Sequence, residues 1–343
     1  MGTVSWSDVL DTLARGGDLT EDVAASVMRT MMSGEATPGQ IGAFLLALRT
    51  KGETVDEIAG LAAIMREFSL KVPTDRPVID TCGTGGDRLG TCNISTMAAL
   101  VVAGAGVAVA KHGNRAASSA CGSADVLEAL GVVIDLPPEG VAACIDDAGI
   151  GFCFAQSFHP AMRHVGPVRK ELGVRTVFNF LGPLTNPAGA RRQTVGVSDA
   201  GMAPKLAEAL KRLGAEHAMV FRGDDGLDEL STATTSRVWD VRGAVTESSF
   251  DPASVGVPRS TIEALAGGTA DQNARIVRDV LGDVADDPVR DAVLVNAAAA
   301  LVVAGVARDI ADGMEGARAS IASGAATVAL DRMIEVSQKV KPQ

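Results

Sequence analysis

The stretch DTCGTGGDRLGTCNIST, residues 80–96, follows directly on the short apolar run Val78-Ile79 and carries Gly83, Gly85, Gly86 and Gly90. Ordering a glycine costs more backbone entropy than ordering any other residue, so a cluster of them suggests that the main chain must come close to something. Val78-Ile79-Asp80 reads as a strand, and the apolar residues after Ser95-Thr96 read as a helix. A strand, a glycine loop and a helix make one β-α unit.

The unit repeats downstream. Val107–Ala110 reads as a second strand, KHGNRAASSACGS as its loop and ADVLEALG as its helix. Val132-Val133-Ile134 reads as a third strand, PPEGVAACIDDAG as a helix and GFCFA as a fourth strand. The basic segment HPAMRHVGPVRKELG (159–173) then interrupts as a helix, and the Pro/Gly/Asn-rich loop NFLGPLTNPAG follows. The alternation resumes with TVGVSD, APKLAEALKRLG and HAMVFRG, ahead of the acidic loop DDGLDEL. TSRVWDVRG and AVTES read as an antiparallel pair, and the C-terminal third as mostly helical. This order predicts an α/β fold with a mostly parallel central sheet covered by helices. Upstream of the linker KVPTDRP (71–77), the pattern is helical throughout. Ser7, Thr20, Thr37 (before Pro38) and Thr54 are the expected caps of four helices joined by short turns.

The 343 residues are 47% apolar and 21% charged, a globular balance. A net charge of -11 with 3% aromatic residues and no Tyr argues against nucleic acid or an anionic membrane as a partner. The N-terminus lacks the apolar core of a signal peptide. The uncharged run from Ala292 to Ala307 is shorter than the ~18 to 20 residues a bilayer span needs. A cytoplasmic protein is expected, with its five cysteines as reduced thiols.

The glycine loop is neither a P-loop, since no GK[ST] occurs, nor a dinucleotide fingerprint, since Arg88 stands at the third glycine position. Backbone amides and a helix start bearing Asn93, Ser95 and Thr96 can still bind an anion. Parallel strands deliver their C-terminal loops to one edge of a sheet, where ligands bind. Lys111-His112-Gly113-Asn114-Arg115, with Ser118, Ser119 and Ser123, should therefore share a cleft with the first loop. Ser123 is also the expected cap of the helix from Ala124. Gln156–His159 and the basic helix with Arg163, Arg169 and Lys170 should reach the same cleft. His159 and His164 lack the H-E-x-x-H spacing of a zinc site.

GTGGD, NIST, KHGNR with GSADVLEALG, HPAMRHVGPVRKELGVRTVFNFLGPLTNPA and DGLDEL occur in an order that resembles the anthranilate phosphoribosyltransferase family, over essentially the whole chain. The resemblance implies a nucleoside phosphorylase type II fold: a small all-helical domain plus a larger α/β domain, forming a homodimer through the small domains. The small domain would be residues 1–72, joined in space by about 160–182, and the large one 73–159 with 183–343.

The implied reaction displaces pyrophosphate from phosphoribosyl pyrophosphate (PRPP) with the amine of anthranilate, in tryptophan synthesis. For PRPP the resemblance assigns Gly83, Gly85, Gly86, Asp87, Thr91, Asn93, Ser95, Thr96, Lys111, His112, Gly113, Asn114 and Ser123, with Ser118 sharing phosphate and ribose contacts. For anthranilate it assigns Gly83, Asn114, His159, Met162 and Arg169, the last gripping the carboxylate. Lys111 and Arg169 are the expected catalytic pair. Asp228 and Glu229, with Ser95, would hold Mg²⁺, two ions per subunit, which would let an acidic protein bind a polyanion. The aromatic amine is neutral at pH 7, so no general base is expected, and catalysis would rest on positioning and electrostatics. Arg88, Ala120-Cys121 and Phe158 depart from the family's pattern. The alternative is a pyrimidine nucleoside phosphorylase of the same fold.

Overall fold

The computed structural model describes residues 5–116, 120–284 and 287–341. The chain opens with α1 (Trp6–Ala14), α2 (Glu21–Met32), α3 (Pro38–Lys51) and α4 (Val55–Glu67). Thr20, Thr37 and Thr54 cap the last three, and Thr37-Gln40 and Thr54-Glu57 form reciprocal capping boxes. The first cap is Ser5 rather than Ser7, because Ser5 Oγ accepts from the Asp8 amide. Their buried faces, including Met28, Met31, Phe44, Leu45, Ile58 and Leu61, share one apolar core with Val165, Val168, Val177, Phe178 and Leu181.

The α/β part follows in the order β1 (Ile79–Gly83), α5 (Ile94–Gly104), β2 (Val109–Gly113), α6 (Ser123–Ala129), α7 (Pro138–Ala148), β3 (Ile150–Phe154) and α8 (Ala155–Phe158). Then come α9 (Gly166–Leu172), α10 (Phe178–Leu181), β4 (Arg192–Gly196), α11 (Ala203–Arg212), β5 (His217–Gly223), β6 (Ser236–Arg242) and β7 (Ala244–Phe250). The chain ends in α12 (Ala270–Leu281), α13 (Pro288–Ala304), α14 (Ile310–Ala322) and α15 (Ala325–Lys339). The seven strands lie in the order β3-β2-β1-β4-β5-β6-β7. The first five are parallel, and β6 and β7 extend the sheet antiparallel, as the sequence pattern suggested. The uncharged run begins in α13, whose centre is fully buried, and ends three residues past it, and among the described residues no helix is long and apolar enough to cross a membrane.

Four local expectations need correction. Val132-Val133-Ile134 is not a strand: the Val133 amide donates to Ser337 Oγ of α15, and Val132 and Ile134 are apolar because they pack in the helical layer. The strand expected at 107–110 runs instead over 109–113, so Lys111 and His112 are strand residues rather than loop residues. The basic segment is split into a 3₁₀ turn (Pro160–His164) and α9, because Pro167 has no N–H to continue a helix through. Ser123 is the first helical residue of α6, and the preceding Gly122 amide is capped by the Asp125 carboxylate instead.

Candidate active site

The chain runs outward from β1 through β2 to β3 on one side, and from β4 to β5 on the other. The crossover between β1 and β4 is therefore the point where strand order reverses, and ligands in open α/β sheets bind outside the strand ends there. Gly83 and Gly196 end these two strands side by side. Asp228 lies across them: a Cβ on Gly83 would sit 2.4 Å from its Oδ2, and one on Gly196 would sit 1.5 Å from its carbonyl oxygen. Only glycine at both positions lets the acidic 228–229 corner drop into the mouth of the sheet.

Two hydrogen bonds then tie that corner to the first loop. The Gly85 amide donates to Asp228 Oδ2 at 2.7 Å, and the Ser95 amide, in the first turn of α5, donates to Glu229 Oε1 at 3.1 Å. Lys111 comes up from β2 beneath them, almost fully buried, donating to the Thr81 carbonyl at 2.6 Å and reaching Ser95 Oγ at 3.4 Å. Residues 83–87, 95, 111 and 228–229 thus meet in one place.

The second loop is braced rather than open. The His112 amide donates to Asp80 Oδ1, and Asn186 donates to Asp80 Oδ2, so a buried carboxylate pins the end of β2. The Asn114 carbonyl accepts from the Ala124 amide and from Ser123 Oγ at 3.3 Å. Gly113 packs directly against Ser123 and Phe152. The Asn93 side chain spans the two loops, donating to the Cys121 carbonyl at 3.3 Å and accepting from Asn273 of α12 at 2.7 Å. Thr91 pairs with Ala266 in an isolated bridge. Thr96 is buried within α5, its hydroxyl without a partner among the described residues. Ser118 and Ser119 lie outside the described residues.

Around the far side, the rings of His112 and His159 approach to 5.3 Å between centroids. Both are buried, and neither nitrogen of His159 has a protein partner among the described residues. Met162, in the 3₁₀ turn, is half-buried. Arg169 of α9 lies 5.2 Å above the Phe178 ring, and its guanidinium makes no hydrogen bond or ion pair with any described residue. Burial lowers its pKa. A planar, partly desolvated guanidinium without an acid suits a carboxylate ligand. No hydrogen bond among the described residues joins Arg169, His159 or Met162 to Gly83 or Asn114.

Burial and neighbouring carboxylates disfavour negative charge on both acidic residues of the corner. Burial, with the Asp87 carboxylate next, pushes Asp228 up to about 7. Burial and Asp228 push Glu229 well above the ordinary carboxylate range. Among the described residues no three His, Cys, Asp or Glu side chains are arranged to hold an ion by themselves. Two carboxylates without a full cage fit Mg²⁺, which takes one or two carboxylates and completes its shell with water and substrate phosphates.

Sequence reasoning missed Gly196, Asp80, Asn186, Asn273, Ser198 and Arg175. Asp80 was visible as a polar residue at the end of an apolar strand; the others contribute through contacts with residues distant in the chain.

Residues 7–69 match the model of the glycosyl transferase family helical bundle domain, and residues 75–327 that of the glycosyl transferase family a/b domain. The class is thus a glycosyl transferase built from a helical bundle and an α/β domain. The anthranilate phosphoribosyltransferase of Chloroflexus aggregans is 58% identical over 94% of this chain and 95% of its own length. The crystal structure of the enzyme of that name from Thermus thermophilus superposes with a TM-score of 0.91 at 47% identity, covering 96% of this chain and 99% of that one. The Saccharomyces cerevisiae enzyme in complex with PRPP and Mg gives 0.90 at 27% identity, covering 98% and 99%. The chain belongs to the anthranilate phosphoribosyltransferase family.

Proposed function

We infer that the chain transfers the 5-phosphoribosyl group from PRPP to the amine of anthranilate, giving N-(5-phosphoribosyl)anthranilate and pyrophosphate, in tryptophan biosynthesis. One observation carries this reading: the Gly83–Asp87 loop and the Asp228-Glu229 pair close on each other at the β1/β4 crossover, held by the Gly85 and Ser95 amides. The relatives described above are anthranilate phosphoribosyltransferases, which favours this reading over the pyrimidine nucleoside phosphorylase alternative.

In this reading Gly83, Gly85, Gly86 and Asp87 with Thr91, Asn93 and Ser95 form the wall that meets the diphosphate, with Thr96, buried in α5, behind it. Gly113, Asn114 and Ser123 meet the ribose phosphate. Lys111 adds a positive charge beneath Ser95. Asp228 and Glu229, with the Ser95 hydroxyl, would hold Mg²⁺, two ions per subunit. When bound, the metal supplies positive charge against the phosphates of the leaving group.

Arg169 takes the anthranilate carboxylate, and His112, His159 and Met162 line its approach. Burial holds both histidines below their ordinary pKa, so they present uncharged rings to the aromatic substrate. The amine attacks C1′ as the pyrophosphate leaves, and the preorganised amides bind the growing charge. Removing one such donor costs ~10²–10³ in rate.

The same reading makes residues 1–72 with 160–182 a small domain, 73–159 with 183–343 a large one, and the small domain the contact of a cytoplasmic homodimer. The test is direct: purified protein, anthranilate, PRPP and Mg²⁺ should lose anthranilate fluorescence with time. Omission of PRPP or Mg²⁺ should stop the loss. A signal independent of PRPP would refute the assignment.

A further inference from the structure

We infer that Arg175 is a positioning residue that sets the polarity of the glycine loop, turning the Asp87 amide toward the phosphates of the substrate; this rests on the phosphoribosyl-transfer reading above. Arg175 lies in the turn between α9 and α10, remote in sequence from the loop it touches. Its Nη1 donates to the Gly86 carbonyl at 3.2 Å and to the Gly85 carbonyl at 3.5 Å, and its Nη2 reaches the Gly85 carbonyl at 3.4 Å. The guanidinium is seated 5.4 Å over the Phe180 ring. Its own carbonyl accepts from Arg49 Nη1 of α3, so the helical bundle helps hold the turn. Contact with the loop is close: a Cβ on Gly86 would fall 1.6 Å from Nη1.

A trans peptide is planar, and its N–H points opposite to its C=O. Drawing the Gly85 and Gly86 carbonyls toward Arg175 therefore turns the Gly86 and Asp87 amides to the other side. Neither amide has an acceptor among the described residues. Positive φ at Gly85 (65°) and Gly86 (81°) permits this conformation. Successive N–H groups facing one way form an anion-binding concavity.

The two peptides are not equally secured. The Gly85 carbonyl also accepts from Ser198 Oγ at 2.9 Å and from Thr84 Oγ1 at 3.4 Å. The Gly86 carbonyl has Arg175 alone among the described residues. Without the guanidinium, nothing keeps the Gly86–Asp87 peptide from rotating and presenting its carbonyl, instead of its N–H, to a polyanion. Arg175 would then act on PRPP without touching it and leave anthranilate untouched.

The test is steady-state kinetics on full-length wild type, Arg175→Ala and Arg175→Lys, varying each substrate in turn at saturating Mg²⁺. Arg175→Ala should raise the KM for PRPP about tenfold, the size expected for one charged hydrogen bond. Its KM for anthranilate should stay within about twofold, while kcat falls as well, because the Asp87 amide is one of the donors that meet the leaving charge. Arg175→Lys, which keeps a cationic donor, should recover most of the loss. Calorimetric titration of each variant with Mg²⁺-pyrophosphate reads the same loop without turnover and should show the same order of affinities. An unchanged KM for PRPP in Arg175→Ala overturns the inference, as do equal rises in both KM values with no recovery by lysine. Inactive wild-type protein would refute the transfer reading instead, and pyrophosphate affinity unaltered by Arg175→Ala would still sink this one.

Discussion

At the scale of single residues, Arg88 shows how a departure from a family pattern becomes a physical statement. It is exposed and holds φ at +63°, a left-handed conformation that favours glycine. A side chain there costs on the order of 1 kcal/mol, whereas glycine loses more entropy on folding, so the two terms oppose each other. Arg88→Gly should consequently leave the thermal midpoint unchanged or raise it slightly. A drop equivalent to about 1 kcal/mol or more would show that the arginine makes a stabilising contact. Phe158 departs for a different reason: it is fully buried against Ala110 and Cys153 and fills core. His159, beside it, makes a pH prediction. Burial, then His112 and Lys71, push its pKa down to about 3, against about 6.5 when unfolded. The unfolded chain binds a proton as the pH falls through 6.5 while the folded one does not, so the stability this group contributes is present above 6.5 and lost as the pH drops toward 3. His159→Gln should flatten the fall of the unfolding midpoint between pH 7 and pH 5, with His112, also shifted down by burial, keeping part of the slope. Parallel pH profiles for the two proteins would contradict the assignment.

Among elements, those that announce themselves by local chemistry were the readable ones. Three of the four opening helices begin at the expected threonines, because a cap and a 3.6-residue apolar period are properties of neighbours in sequence. Val132–Ile134 misled because burial against helices and burial in a sheet demand the same apolar residues, and only the partner of the Val133 amide tells them apart. At the site, the glycine loop, Lys111 and the Asp228-Glu229 pair could be picked out as motifs. What could not be read is their bracing: Asn273 on Asn93, Ser198 on Gly85 and Asn186 on Asp80 join residues far apart in the chain. One such brace lies at the α3–α4 junction. Glu57 is fully buried, accepts from the Leu19 and Thr54 amides, and pairs with Lys51 at 3.0 Å. Removing one partner of a buried pair leaves the other uncompensated and costs roughly 3 kcal/mol. Asp18, also 2.7 Å from Lys51, softens that cost for the lysine but leaves both amides unpaired. Glu57→Ala should therefore lower the urea midpoint markedly with little change in the KM for PRPP, since the Glu57 carboxylate bonds Leu19, Thr54 and Lys51 and, among the described residues, none of the phosphate loop. A midpoint equal to wild type would show that water replaces the carboxylate.

For the whole molecule, one acidic chain sets a helical bundle, with 160–182 packed on it, beside an α/β part. The sheet edge presents amides and carboxylates, while 160–182 carries Arg169 and Arg175. The homodimer proposed above would give the bundle a second duty, as the surface on which a partner subunit sits. Leu46 on α3 is 49% exposed and Val174, just past α9, is 47% exposed; Leu70, Val284, Val306 and Val328 are the other exposed large apolar side chains among the described residues. Arg49, one helical turn beyond Leu46, bonds the carbonyl of Arg175, which places Val174 beside the outward face of α3. Leu46 and Val174 are the exposed aliphatic side chains of this region that a subunit contact through the small domain could cover. If the proposed homodimer uses this face, a charge placed there is repeated across the symmetry axis, where like charges meet. Leu46→Glu should then shift sedimentation from dimer toward monomer at micromolar concentration while leaving the circular dichroism spectrum unchanged. Because Arg49 also steadies the turn that bears Arg175, the monomer should bind PRPP more weakly than the dimer. Wild-type protein that sediments as a monomer, or a Leu46→Glu variant that stays dimeric, would move the subunit contact off this surface.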